Sequence, residues 1–252
     1  MTDDPGTPDR RTAPLAPEGV HRSGMGAAHE APTDDNPGAE ADAPRIPARA
    51  VTPKHAASVI LWRQGRTGPE VLMGLRHARH RFMPNVLVFP GGRVDRADHR
   101  AKAISELPDF TRACLRRQAP PSLARALGIA AVRELHEETG LVLGRMEGHA
   151  VLPDLGVLDY LCRAVTPPRL PRRFNARFLI APAEASHGVL RGSGELEELR
   201  FFGFEDAFRH RIATITAKVL AEFRVWLAMS PEERLARELI CFRGQDTRLP
   251  ER

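Results

Sequence analysis

Eleven consecutive residues, Ala131-Val132-Arg133-Glu134-Leu135-His136-Glu137-Glu138-Thr139-Gly140-Leu141, set three glutamates and an arginine at helical spacing. On a helix turning about 100° per residue, Glu134, Glu137 and Glu138 occupy roughly 100° of one face. Like charges three and four residues apart repel, each pair costing roughly 0.2–0.5 kcal/mol, so the strip is poor helix design unless something cationic sits among the carboxylates. Hard divalent cations take oxygen ligands, and Mg²⁺ combines a few carboxylates with substrate phosphates and water. Arg133, one turn before Glu137, is spaced to pair with it and orient it. Without context the same run also reads as a solvated Glu/Arg helix face.

About forty residues upstream stands Phe89-Pro90-Gly91-Gly92, a strand end running into a double glycine. Glycines there allow positive φ and a close backbone approach to a ligand or metal. The elements that must position these groups follow from periodicity. Residues 57–62, 70–76 and 86–89 predict strands, and residues 122–139 predict a helix stopped by Gly140. Residues 174–181 and 196–204 predict two more strands. Phe208, Ile212, Ile215, Val219, Phe223 and Trp226 repeat at three and four, predicting one long amphipathic helix. Ser230-Pro231-Glu232-Glu233 has the form of a capping box and opens a last helix to about Cys241. The C-terminal helices thus span about 205–241. Strands mixed with helices predict one α/β domain over residues 54–252.

Residues 1–53 differ in texture: they hold nine of the 22 prolines and no Phe, Trp or Tyr. Such a stretch buries too little apolar surface to offset chain entropy and is expected to be a disordered tail. The whole chain of 252 residues, 42% hydrophobic and 27% charged, has enough apolar content for a real core, which excludes global disorder. No apolar run approaches the ~18 residues of a membrane span, and the N-terminal residues lack the apolar stretch of a signal peptide. Cys114, Cys162 and Cys241 lie far apart, suggesting neither a disulfide framework nor a zinc site. A net charge of +5, carried mostly by arginine, favours anionic partners, phosphate and carboxylate above all. No pattern of stacking aromatics in a basic groove is evident, so neither nucleic acid nor membrane is expected as a partner. The expected location is cytoplasmic, the final residues carrying no peroxisomal tripeptide.

With both motifs in view, the sequence resembles the Nudix hydrolases, whose signature is G-x5-E-x7-R-E-U-x-E-E-x-G-U with U a bulky apolar residue. Arg133, Glu134, Leu135, Glu137, Glu138, Gly140 and Leu141 match its second half position by position. The first half departs twice: Asp98 stands where the signature has Glu, and 34 residues rather than seven separate it from Arg133. The additional segment, about 99–121, carries Ile104, Leu107, Phe110 and Leu115, predicting partial helical order, and is expected over the mouth of the site. The resemblance implies a Nudix-type α/β/α sandwich with a mixed central sheet. It also implies hydrolysis of a nucleoside diphosphate linked to another moiety. Arg133, Glu134, Glu137 and Glu138 are then the catalytic set. Glu134, Glu137 and Glu138, with the Gly92 carbonyl, would hold Mg²⁺ or Mn²⁺, which lowers the pKa of bound water. Glu134 or Glu138 is open as the proton acceptor, as are Glu195, Glu197 and Glu198, which read equally as a polar turn.

A narrower resemblance is to Nudix enzymes that cleave coenzyme A, which carry R-[SA]-x3-R-x3-G-x3-F-P-G-G. Arg76, Arg81, Asn85 and Phe89-Pro90-Gly91-Gly92 keep that register, with His77 for Ser/Ala and Asn85 for Gly. Asparagine tolerates left-handed backbone better than other non-glycine residues. This resemblance implies Arg76, Arg81, Gly91 and Gly92 as substrate-binding residues. The substrate is then CoA or acyl-CoA, split into 3′,5′-ADP and 4′-phosphopantetheine or its acyl form. Alternatives are ADP-ribose, NADH or nucleoside triphosphates as substrates, or a non-catalytic nucleotide sensor; a homodimer is allowed by the same reading. His136, among the glutamates but off their centre, is expected to be structural.

Overall fold

In the computed structural model, residues 51–76, 85–244 and 247–251 are described. The tail assigned to residues 1–53 therefore lies outside the described residues except for its last three, and Arg81 and His77 lie outside them too. The chain begins with a hairpin of β1 (Lys54–Gln64) and β2 (Pro69–Arg76), with two short strands added: β3 (Leu87–Val88) on β2 and β4 (Gly91–Arg93) on β1. A single 3-10 turn at Ala97–His99 leads to α1 (Asp109–Arg116) and α2 (Pro121–Thr139). Then come β5 (Leu141–Glu147), β6 (Ala150–Pro153), β7 (Asp159–Val165), β8 (Phe174–Pro182), β9 (Ser186–Gly188) and β10 (Leu196–Gly203). The chain closes with α3 (Phe204–Arg209), α4 (Thr214–Ala228), α5 (Pro231–Ala236), β11 (Ile240–Arg243) and β12 (Thr247–Pro250).

Strand order in the main sheet is β10-β2-β1-β8-β7-β11-β12, with β3 and β4 attached to β2 and β1. β1 runs parallel to β8 and β11 parallel to β7, while β7 and β8 pair antiparallel, so the sheet is mixed. Alternation along the strands feeds two cores. Val59, Leu61 and Leu179 join α1 and α2 residues such as Leu115, Leu127 and Leu135 on one side. Ile60, Val71 and Ile180 meet Ala207, Val219, Phe223 and Trp226 of α3 and α4 on the other. Helices therefore cover both faces, as expected for an α/β sandwich, because side chains of a strand point alternately to opposite faces. None of the described helices is long and apolar enough to cross a membrane.

α2 follows its sequence prediction closely. Pro121 opens it, and Gly140 ends it at φ +74, a left-handed conformation that relieves the terminal carbonyls. Two other expectations need correction. The long helix predicted through 208–226 is broken between α3 and α4, because Ile212 bridges to Leu87 and the Arg211 carbonyl accepts the Leu87 N–H. The last helix, predicted to reach Cys241, stops at Ala236 although its capping box at Ser230 is fully formed. Ile240 and Cys241 instead extend the sheet beside Cys162 and Arg163, an apolar strand buried on both faces. The segment 99–121 contains α1 as expected, but it is built into the core rather than laid over it. Leu107, Cys114 and Leu115 are buried against α2, and the Thr111 hydroxyl donates to the Leu158 carbonyl at 2.9 Å.

Candidate active site

α2 presents Arg133, Glu134, Glu137 and Glu138 toward β4 and the Ala97–His99 turn, and the geometry is organised around Arg133. Its Nε and Nη2 donate to the two oxygens of Asp98 at 2.9 and 3.0 Å. Nη1 donates to Glu134 at 2.8 Å and to Glu137 at 3.1 Å, and Nη2 also donates to the Arg93 carbonyl at 2.9 Å. A guanidinium has five N–H donors in a fixed fork, and all of them are used. Burial opposes the charge on Arg133, but the hydrogen bonds and charges of Asp98 and Glu134 outweigh it and raise its pKa far above the ordinary value. Asp98 is 2% exposed and also accepts the Asp95 N–H at 2.7 Å. The shorter carboxylate therefore reaches Arg133 despite the 34 intervening residues, because the turn at Ala97–His99 carries it there.

The double glycine has two separate steric reasons. A Cβ on Gly92 would overlap the Glu134 carboxylate, and one on Gly91 would overlap Ser58 and the Ala57 carbonyl of the adjoining strand. The Gly91 N–H donates to Glu138 Oε2 at 2.9 Å, tying β4 to the last turn of α2. Gly92→Ala should displace Glu134 and reduce turnover by about 10²-fold, the scale of a misplacement near 1 Å. The circular dichroism spectrum should remain that of the wild type, since only a side-chain end must move; an unchanged kcat would show that the Glu134 position does not matter.

Burial is the main electrostatic feature of the glutamates. It pushes the Glu138 carboxyl up to about 8; the Gly91 N–H and Arg76 work against this, and Glu134 and Glu195 add to it. Burial likewise raises Glu134, opposed by Arg133 and reinforced by Glu137 and Glu195. Arg76, at the end of β2, thus faces the carboxylates, and Glu195 joins them from the segment before β10, whose Leu196 pairs with Arg76. Sequence reasoning left Glu195 among three equivalent glutamates; the β2–β10 pairing singles it out, a long-range register that local sequence does not reveal. Glu198 lies instead at a bulge, with φ +48. Asn85 adopts φ +54, the left-handed conformation for which the CoA-type register carries glycine. The Nδ1 of His136 is buried with no partner among the described residues.

Among the described residues, no three His, Cys, Asp or Glu side chains already stand as a ligand set. Glu134 and Glu137 each give one oxygen to Arg133, and Glu138 gives one to Gly91. The second oxygen of each has no hydrogen bond within the described residues. Three such carboxylates, two of them half-buried or buried and mutually repelling, match the oxygen donors and the compensating charge a hard dication needs. The residues fit Mg²⁺ or Mn²⁺ in donor chemistry.

The whole chain matches no family profile. It is 39% identical over 171 residues to a Caenorhabditis elegans protein described as "Putative nudix hydrolase 7", an overlap covering 58% of this chain and 50% of that one. The chain thus spans about half the length of that curated relative. Among solved structures, a NUDIX hydrolase from Alicyclobacillus acidocaldarius superposes with a TM-score of 0.54 at 23% identity, covering 74% of this chain and 96% of the other. The chain has the Nudix fold.

Proposed function

We propose that this Nudix-fold chain is a metal-dependent diphosphatase that hydrolyses a nucleoside diphosphate linked to a second moiety, with CoA or acyl-CoA as substrate. The observation that carries the reading is Arg133 using its whole fork to fix Asp98, Glu134 and Glu137 beside the double glycine. A helix face evolved only for solvation has no reason to anchor a carboxylate strip this rigidly to a strand and a turn. The resemblance of the Arg133–Leu141 motif and the 39% identity to the nematode relative support the same chemistry.

Glu134, Glu137 and Glu138 would hold the dication, with the Gly92 carbonyl as a further ligand. When bound, the metal neutralises charge on the diphosphate and lowers the pKa of water. The protein's own residues do the rest. Arg133 keeps Glu134 and Glu137 in place and takes no part in bond breaking. Gly91 and Gly92 let the backbone approach where a side chain would collide. Burial raises the Glu138 carboxyl to about 8 in the metal-free protein, so it is largely protonated at neutral pH and would accept a proton only when a bound dication has displaced its own; Glu195 is the second acceptor within electrostatic reach. Water adds to one phosphorus, the P–O–P bridge breaks, and two phosphomonoesters leave.

The preference for CoA is supported by the Arg76–Arg81–Asn85 register, by Asn85 taking the left-handed conformation, and by Arg76 facing the carboxylates. CoA carries a 3′-phosphate beyond its diphosphate, which guanidinium groups bind well. Arg76→Ala and Arg81→Ala should each raise KM for CoA about tenfold or more and leave KM for dephospho-CoA less affected. Equal changes for both substrates would remove the substrate assignment and leave ADP-ribose, NADH or nucleoside triphosphates to be tried.

A further inference from the structure

Beside the Arg93–Asp95 segment lies a cavity of about 340 Å³ lined by Lys54, His55, Arg93, Val94, Asp95, His99 and Leu123. A second depression of about 440 Å³ adjoins it through His99 and is lined also by Arg96, Ala97 and Arg100. Lys54 and Arg93 thus line the first hollow together with His55 and His99, and Arg96 and Arg100 line the second, which shares His99. None of the four permanent cations makes a side-chain ion pair within the described residues. The single carboxylate in the lining, Asp95, leans toward Arg133, 4.0 Å from its Nη2.

The floor of the cavity is built rather than incidental. Arg177, 1% exposed, donates through Nη1 to His55 Nδ1 at 3.1 Å, and its other contacts are the Asn175 and Gln118 carbonyls. Arginine only donates, so Nδ1 of His55 must be the acceptor and its proton must sit on Nε2. A buried guanidinium therefore sets His55 in one tautomer and leaves an N–H edge for the cavity. The backbone agrees: the Val94 N–H donates to the His55 carbonyl at 3.0 Å, and the Arg93 carbonyl is held by Arg133. Converging cations with a fixed donor at the base are what phosphate oxygens require.

We propose that this hollow binds a phosphate-bearing anion through Lys54, Arg93, His99 and the Nε2–H of His55, separately from the carboxylate strip. The anion is either a remote phosphate of the substrate itself or a free phosphate compound, the two sharing one recognition chemistry. The site does not depend on the diphosphatase reading, since no metal ligand lies in it.

Titration calorimetry of the full-length protein with inorganic pyrophosphate, in EDTA, tests the proposal. Binding should be measurable and should weaken with added salt. Lys54→Ala/Arg93→Ala should weaken it at least about tenfold, whereas Arg209→Ala, which removes an exposed arginine of α3, should leave it unchanged. Lys54 and Arg93 are exposed, so the double variant should melt with the wild type. If pyrophosphate does not bind, or binds the double variant as it binds the wild type, the site does not exist. Where binding falls, a matching rise in KM for CoA assigns the anion to a phosphate of the substrate, and an unchanged KM assigns it to a free anion. An inactive protein that still binds pyrophosphate in this way would keep the site and overturn only the diphosphatase.

Discussion

Glu138→Gln should lower kcat for the proposed diphosphate hydrolysis by roughly 10²–10³-fold, the range found when one preorganised electrostatic contact is removed. Glutamine keeps the shape and can still accept the Gly91 N–H, so the loss would be of charge alone. The same carboxyl makes the fold sensitive to pH. Its pKa in the native state is pushed by burial to about 8, above the ordinary glutamate value of 4.5, so the folded protein holds a proton that the unfolded chain has released. Stability of the metal-free protein from this group is therefore complete below about pH 4.5 and is lost as pH rises toward 8. Glu138→Gln should flatten that decline in urea titrations between pH 5 and 9. It should also diminish the stabilisation that Mg²⁺ gives the wild type at the alkaline end. Full turnover by Glu138→Gln, or an unaltered stability profile, would remove Glu138 from the metal and proton roles together.

The largest expected effect on stability lies elsewhere. Glu251→Gln should cost about 3–5 kcal/mol, the usual consequence of leaving buried charge without its partner. Glu251 is 5% exposed; its carboxylate accepts the Tyr160 hydroxyl and meets Arg163 at 3.4 Å, while its backbone carbonyl takes Arg117 at 3.0 Å. Arg163 and Arg177 are both almost fully enclosed nearby, and burial together with Arg163 already lowers Arg177 to about 10. Removing the carboxylate leaves two guanidinium groups facing each other with neutral acceptors only. Urea denaturation followed by tryptophan fluorescence reads the loss, and a change below about 1 kcal/mol would mean that the pair is worth no more than a surface one. Because Arg117 follows α1, the same contact joins the segment after Asp98 to the sheet, so kcat should fall less than stability.

How much of this was legible depended on whether a residue's partners are local. α2 could be read outright, since its apolar spacing, its glutamate strip and its stopping glycine all lie within nineteen residues and the next. The pairing of Arg133 with Glu137 followed from helical spacing, and the left-handed Asn85 from residue type. β7 and β11 escaped because a strand buried on both faces shows no alternation, and Ile240-Cys241-Phe242 continues the amphipathic pattern of a helix; β12 escaped because it is an exposed edge strand of Thr-Arg-Leu-Pro with no apolar alternation. The break between α3 and α4 is set by the Ile212–Leu87 bridge, a contact more than a hundred residues apart in sequence that periodicity cannot register. Asp98 reaching Arg133, and Glu195 reaching the strip, depend likewise on chain paths rather than on spacing.

In the proposed function Glu134, Glu137 and Glu138 serve a dication in breaking a diphosphate. Phosphorus NMR of coenzyme A incubated with the purified protein and Mg²⁺ tests it most directly. The diphosphate resonances should give way to those of 3′,5′-ADP and 4′-phosphopantetheine, and EDTA should stop the conversion. A diphosphate left intact with Mg²⁺ and with Mn²⁺, in CoA and equally in ADP-ribose, NADH and nucleoside triphosphates, would contradict it.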